Sequence, residues 1–157
     1  RVPFPISVEE TLLRISKAEG GETWEIGNDG GRTALQFLAN TLSEPKWFDN
    51  VVLRKALEGP LRWLGTYYLA AEKLGCGVDG LPYDPVARFH LRNGASMHRI
   101  NVHGNHTTGG LQKSGGLMCN YLYSLPDLRS RHEAFMHSNP PGAFHRSEEV
   151  KATLEWK

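Results

Sequence analysis

The sequence predicts an α/β fold of the α+β kind, because the first half is mostly helical and strands alternate with helices only in the second half. Apolar residues recur at helical spacing through the first half. In the second half, short β-like runs bounded by turn residues alternate with helical patterns. The 157 residues allow one domain, or part of one, with a buried core. No internal repeat or low-complexity tract is present.

Four helices are predicted in the first half. The first begins at Ser7, whose Ser-x-x-Glu spacing is that of a capping box, and ends near Gly20. After a short strand at residues 24–26 and a glycine-rich loop, the second covers about residues 32–42 and ends before Pro45. The third spans residues 48–57, and Gly59-Pro60 is expected to interrupt it before a fourth at residues 61–75.

Strands and helices should alternate in the second half. Strands are predicted at residues 87–91 and 97–102, separated by Asn93-Gly94, a strong turn signal. A third strand is predicted at residues 117–123. The predicted helices are a short one near residues 107–114, one from Pro126 toward His137, and a last one capped by Ser147, with a turn at residues 139–142 before it.

Composition excludes several classes of protein. A net charge of +1 with interspersed signs argues against nucleic acid as a partner, and no run approaches the ~20 apolar residues of a membrane span. Cys76 and Cys119 do not make a disulfide scaffold, so we expect reduced thiols and an intracellular location. The chain lacks an initiator Met, and its first residues do not resemble a secretory signal, so we expect it to begin within a longer protein.

His90 is the first candidate for chemistry. It ends the predicted strand at residues 87–91, beside a turn, where a side chain can face a cleft. An imidazole with an ordinary pKa of about 6.5 suits proton transfer near neutral pH. The residues alone leave two interpretations open: an ordinary hydrogen-bonded histidine and a catalytic one.

Three further histidines invite a metal-site interpretation. His98, His103 and His106 fall within nine residues, but their directions need not converge and no His-Glu-x-x-His or paired-cysteine spacing accompanies them. We therefore expect no metal. A histidine-based metal hydrolase stays only as a distant third hypothesis.

Two other motif interpretations fail on spacing. Residues 107–114 lack the glycines of a phosphate loop, since Thr107 and Gln112 stand where glycine is required. Ser114 lacks the Gly-x-Ser-x-Gly context of a hydrolase nucleophile, and a tight turn explains it better. Cys119, in an apolar run, is expected to be a buried small hydrophobe.

A stretch of some forty residues carries a specific resemblance. Residues 84–95 read Asp-Pro-Val-Ala-Arg-Phe-His-Leu-Arg-Asn-Gly-Ala, Arg-Ile-Asn follows at 99–101, and residues 114–123 read Ser-Gly-Gly-Leu-Met-Cys-Asn-Tyr-Leu-Tyr. Without gaps, this pattern closely resembles the malonyl-CoA decarboxylase family. The resemblance weakens beyond these limits. We therefore expect residues 1–46 to be a helical connector and residues 47–157 the C-terminal part of the catalytic domain.

The resemblance implies a fold and a reaction. The fold would be part of a GNAT-like (acetyltransferase-like) sandwich, with a mixed sheet and flanking helices. The reaction would convert malonyl-CoA to acetyl-CoA and carbon dioxide through a thioester enolate, in fatty-acid metabolism. No cofactor would be needed, because the thioester carbonyl of the substrate takes up the electron pair; coenzyme A is part of the substrate. The resemblance also implies a homo-oligomer, and the sequence does not choose between cytoplasm and mitochondrion.

The resemblance also implies site residues. His90 stands at the family's catalytic histidine, and Tyr123 at a tyrosine of its catalytic cleft. The substrate-binding residues would be Asn93, Asn101, Asn105, Thr107 and Ser114.

The chain departs from the family pattern in two places. The family's partner serine lies in an upstream Ser-Pro-Ile-Pro-Gly-Phe segment, and no serine stands at the matching place here. The family's Asp-x-Ser reads Asn105-His106-Thr107, so a carboxylate has become an amide. We therefore do not expect the chain alone to be active. The alternative is a catalytically silent fragment or relative that binds an acyl-CoA or a partner subunit.

Overall fold

A computed structural model describes residues 30–44, 46–74 and 80–155. The expected elements before residue 30, together with Pro45, Cys76 and the loop around it, lie outside the described residues. The described elements are α1 (Gly30–Ser43), a 3-10 helix (Trp47–Asp49), α2 (Val51–Ala70), α3 (Pro85–Arg92), β1 (Ser96–Asn101), α4 (Thr108–Ser114), β2 (Met118–Leu122), α5 (Leu128–His137) and α6 (Glu148–Leu154). No helix within these residues is long and apolar enough to cross a membrane.

The described residues divide into two compact units. The first contains the described chain up to Trp63 and the segment Val102–Leu117. The second contains Leu64–Asn101 and Met118–Glu155. The fold is mixed α/β, as predicted, and the strands belong to the second unit.

In the first unit, α1 confirms the helix predicted at residues 32–42, but the predicted break at Pro60 is wrong. One helix, α2, runs through Pro60. Leu57 and Leu61, on either side of the proline, are almost completely buried, and Pro60 itself is buried with them. A break would take these leucines off their common helix face. Burial of that face therefore outweighs the hydrogen bond that proline cannot donate.

In the second unit, the strand predicted at residues 87–91 is wrong, because these residues form helix α3. The Asp84 side chain accepts a hydrogen bond from the Ala87 N–H at 2.7 Å, and Pro85 occupies the first turn. An acidic N-cap followed by proline is a standard helix start. Ala87 and Leu91, four residues apart, are fully buried on one face. Asn93 is consequently the C-cap of a helix rather than part of a hairpin turn.

The sheet consists of β1 and β2, which confirms the strands predicted near residues 97–102 and 117–123. They pair antiparallel, with Ser96 opposite Leu122 and Asn101 opposite Met118, and the register is irregular between Met97 and Arg99. The sheet described has two strands, whereas a mixed sheet was expected. Helix α3 packs on α5, and α6 packs on β1.

The remaining helices match their predicted places. Thr107 caps α4 by accepting the Gly110 N–H at 3.1 Å, and Ser147 caps α6 by accepting the Val150 N–H at 3.2 Å. Helix α5 begins at Leu128, slightly after the predicted start. Short polar caps, readable in the sequence, therefore set the starts of α4 and α6.

Gly94 links α3 to β1 at a point where no side chain fits. Its φ is +83°, and a Cβ there would lie 2.3 Å from the Leu128 carbonyl oxygen. We expect Gly94→Ala to lower the free energy of unfolding by about 2–5 kcal/mol, through backbone strain and a clash with fixed backbone. Urea unfolding measures this.

Gly109→Ala is the matched control. Gly109 lies in α4, and a Cβ there would meet no atom within 4 Å. Alanine should be neutral or stabilise by up to about 1 kcal/mol. Equal losses in the two variants would contradict the role assigned to Gly94.

Candidate functional site

His90 and Tyr123 are in direct contact within the second unit. His90 lies in the last turn of α3, and Tyr123 directly follows β2. The His90 Nδ1 is 2.9 Å from the Tyr123 hydroxyl oxygen, which is hydrogen-bond distance. From the sequence, two strands of one sheet were expected to bring His90, Asn93 and Tyr123 to one cleft. His90 and Tyr123 do meet, but a helix and the end of a strand bring them together.

Tyr121 forms a third member of this group. Its ring stacks on the His90 ring, with centroids 4.4 Å apart and planes 13° from parallel. Burial is the main reason why the pKa of Tyr121 is raised, so its phenol stays neutral. Sequence reasoning did not select Tyr121 as a site residue. The period-2 alternation of a strand, which puts Tyr121 on the face of Tyr123, was the available signal.

This group, His90 with Tyr121 and Tyr123, fixes an imidazole on two sides. Stacking holds the plane of the His90 ring, and the Tyr123 hydroxyl holds one ring nitrogen. In neutral imidazole one nitrogen donates and the other accepts, so the Tyr123 contact leaves Nε2 to act on another molecule. His90 is half-buried and Tyr123 is exposed, so a ligand can reach both. The group can therefore donate hydrogen bonds to an anionic oxygen and transfer a proton.

Asn93 and Asn101 belong to the same unit but have other immediate partners. Asn93 is exposed at the end of α3, where its backbone N–H donates to the Phe89 carbonyl at 3.2 Å. The Asn101 side chain donates to the Asn120 side-chain oxygen on the neighbouring strand at 3.0 Å. Substrate binding by either residue remains a prediction.

Asn105, Thr107 and Ser114 lie in the first unit, around α4. The Asn105 side-chain oxygen accepts from the Thr107 N–H at 3.1 Å and from its hydroxyl at 2.7 Å. The Ser114 hydroxyl lies 3.0 Å from the Gly110 carbonyl and 3.1 Å from that of Leu117. These bonds hold both ends of α4. A role for the three residues in substrate binding remains a prediction.

The three histidines that are close in sequence belong to different units of the structure. His98 is exposed on β1 in the second unit, whereas His103 and His106 belong to the first. His103 packs against the rings of Trp47 and Phe48, and burial lowers its pKa. Within the described ranges, no three histidine, cysteine or carboxylate side chains form a group that could hold a metal ion.

Cys119, in β2, is partly buried and carries no disulfide. Burial raises the pKa of its thiol to about 11. The thiolate is the reactive form of cysteine, so this side chain is inert near neutral pH. The raised pKa agrees with the prediction of an unreactive cysteine, but the side chain is partly rather than fully buried.

Alkylation tests this property. At pH 8 we expect Cys119 to react with iodoacetamide at least ~50-fold more slowly in the folded chain than in the urea-unfolded chain, because each pKa unit lowers the thiolate fraction tenfold. Peptide mass spectrometry reads Cys119 separately from Cys76. A pH series is the control, since the folded-chain rate should keep rising above pH 9. Equal rates in the two states would refute the burial argument.

The structure so far defines a mixed α/β chain in which a histidine ring nitrogen contacts a tyrosine hydroxyl. Comparison with known proteins gives the family. Residues 14–157 match the family model of the malonyl-CoA decarboxylase C-terminal domain. The chain belongs to this family.

The curated relatives and the solved structures that match the chain belong to the same family. The chain is 37% identical over 121 residues to mitochondrial malonyl-CoA decarboxylase of Anser anser anser, covering 77% of this chain and 23% of the relative. It is 41% identical over 106 residues to the mitochondrial enzyme of Mus musculus, covering 68% and 21%. The solved structure of malonyl-CoA decarboxylase from Rhodopseudomonas palustris matches with a TM-score of 0.66 and 32% identity, over 90% of this chain and 30% of that one. That from Agrobacterium vitis matches with a TM-score of 0.65 and 30% identity, over 92% and 32%.

The chain therefore spans less than a third of the length of these relatives and solved structures.

Proposed function

We propose that this chain supplies the histidine–tyrosine part of a malonyl-CoA decarboxylase active site. The observation that carries the proposal is the 2.9 Å contact between His90 and Tyr123. Both residues stand inside the motif that resembles the family, and residues 14–157 match the family model. The activity would be that of a carboxy-lyase acting on malonyl-CoA.

The chemistry sets what the site must do. In malonyl-CoA the carboxylate is β to the thioester carbonyl. When the bond between the carboxylate carbon and the α carbon breaks, carbon dioxide leaves and the electron pair moves into that carbonyl, which gives an enolate. The enolate oxygen needs hydrogen-bond donors, and the α carbon then takes a proton to form acetyl-CoA. Because the thioester carbonyl of the substrate takes up the electron pair, we propose that the reaction needs no metal or organic cofactor.

His90 and Tyr123 fit these two tasks. With Nδ1 held at Tyr123, the Nε2–H of a neutral His90 can donate to the thioester oxygen as negative charge develops. When both His90 nitrogens carry a proton, Nδ1–H donates to the Tyr123 oxygen, and the Tyr123 O–H is then free to be a second donor to the same thioester oxygen. Stacking on Tyr121 keeps the imidazole plane fixed, so little reorganisation accompanies the reaction.

The same proposal covers the substrate-binding residues, the serine partner, the domain organisation, the oligomeric state and the compartment. Asn93, Asn101, Asn105, Thr107 and Ser114 would contact the substrate. The serine partner of His90 would come from a segment other than these 157 residues. Residues 47–157 would form the C-terminal part of a GNAT-like domain after a connector at 1–46, in a homo-oligomer. The names of the curated relatives favour the mitochondrion over the cytoplasm.

His90→Gln tests the catalytic role. In the longest natural polypeptide that contains these residues, we expect acetyl-CoA formation to fall at least ~100-fold, the scale of a lost acid–base group, with little change in malonyl-CoA binding. His137→Gln, which changes an exposed histidine at the end of α5, is the control and should be neutral. Unchanged turnover in His90→Gln would remove His90 from the mechanism. Binding without turnover in the unaltered protein would identify the silent relative instead.

Tyr123→Phe tests the second donor. Turnover should fall by ~10-fold to ~1,000-fold, the range for one lost oxyanion donor, while stability changes little because the ring is kept. Tyr83→Phe is the matched control, since Tyr83 is also an exposed tyrosine of the second unit. Equal turnover in both variants would show that the Tyr123 hydroxyl has no catalytic part.

A further inference from the structure

The second unit contains a cavity that the proposed reaction does not use. Its volume is about 350 Å³. Its walls come from the segment between α5 and α6 and from Lys73 and Gly80. The lining residues are Lys73, Gly80, Ser138, Asn139, Pro140, Pro141, Gly142, Ala143, Phe144 and Arg146. His90 and its two tyrosines do not line it.

Two cationic side chains that line this cavity, Lys73 and Arg146, lie against the ring of Phe144. The Lys73 Nζ lies 5.2 Å from the centroid of the Phe144 ring, and the Arg146 guanidinium carbon lies 4.6 Å from it. Cation–π attraction at these distances holds each head group against the same ring. Backbone pairing fixes their positions as well, since Lys73 pairs with Pro82 and Arg146 with Met97.

Part of the Arg146 guanidinium has no partner. One terminal nitrogen donates to the Ala70 carbonyl at 3.1 Å. The Nε–H, which is buried, has no hydrogen-bond partner in the described part of the chain. A buried donor without a partner costs free energy.

Among the described residues that line the cavity, none carries a carboxylate to compensate these charges. Burial lowers the pKa of Arg146, and burial together with the Arg146 charge lowers the pKa of Lys73. Two like charges in partial burial destabilise each other, and a bound anion would reverse that effect.

The wall formed by residues 138–144 is built before any ligand binds. The Ser138 hydroxyl donates a hydrogen bond to the Pro140 carbonyl at 2.8 Å and accepts one from the Ala143 N–H at 3.3 Å. Gly142 has a φ of +93°, and a Cβ there would lie 2.9 Å from the Gly80 carbonyl oxygen, so only glycine allows the two walls to meet. A preformed wall lowers the entropy cost of binding.

We propose that this cavity binds a phosphate-bearing anion through Lys73 and Arg146. A guanidinium beside an ammonium suits phosphate, which offers oxygens to a planar fork and to a point charge together. The volume admits a group larger than a single carboxylate. The inference goes beyond the proposed decarboxylation and does not depend on it. The phosphate can come from a free anion or from the nucleotide end of a coenzyme A.

Calorimetric titration of the full chain with inorganic pyrophosphate tests the proposal. We expect binding that weakens at least ~10-fold in Lys73→Gln, the scale of a lost hydrogen bond to a charged group. Lys73→Arg, which keeps the charge, should retain most of the affinity. Arg129→Gln is the control, because it also removes one positive charge but changes a largely exposed side chain on α5.

Each outcome of the pyrophosphate titration has a distinct meaning. No binding of pyrophosphate, or equal weakening in Lys73→Gln and Arg129→Gln, would overturn the proposal. Competition by adenosine 3′,5′-bisphosphate, the nucleotide end of coenzyme A, distinguishes the sources: displacement of pyrophosphate identifies the nucleotide, and its absence identifies a free anion. His90→Gln should bind pyrophosphate like the unaltered chain, so failure of this site and failure of the decarboxylase proposal are distinguishable.

Discussion

The hydrogen bond from the Ala87 N–H to the Asp84 carboxylate is the interaction on which the second unit depends. At 2.7 Å it closes the first turn of α3 and fixes where this eight-residue helix begins. A helix so short has little stability of its own, so it needs a cap and a buried face. With that start, Leu91 faces the core and His90, one position earlier, faces Tyr121 and Tyr123. One capping carboxylate therefore sets the direction of the imidazole.

The part of the fold that the sequence predicts well is the part with local signals. The caps at Thr107 and Ser147 act within three residues, and both helices were found where these caps indicate. The strands around residues 97–102 and 117–123 are short runs with turn residues nearby, and they were found too. Signals of this kind are readable because sequence neighbours alone satisfy them.

The errors fall where tertiary packing decides. Pro60 and its neighbouring glycine are strong helix breakers, yet the burial of Leu57 and Leu61 keeps α2 continuous. Residues 87–91 contain β-like types but too few positions to distinguish a period of 2 from 3.6. For the site, the resemblance pointed to His90 and Tyr123; the structure shows that they are in contact, and their catalytic roles stay predictions. The stacking of Tyr121 on His90, and the approach of Lys73 and Arg146, more than seventy residues apart, to the Phe144 ring, needed coordinates.

The two edges of the small sheet differ in a way that matters for handling this chain. The outer edge of β1 is covered, since Met97 exchanges backbone hydrogen bonds with His145 and Ser147. In the ranges that the structure describes, the sheet ends at β2, whose outer backbone groups have no neighbouring strand. An open strand edge is a template for another copy of the same segment. Strand addition at Met118–Leu122 is thus the route by which concentrated samples would self-associate, and a charged side chain on that edge would improve solubility without altering the buried face.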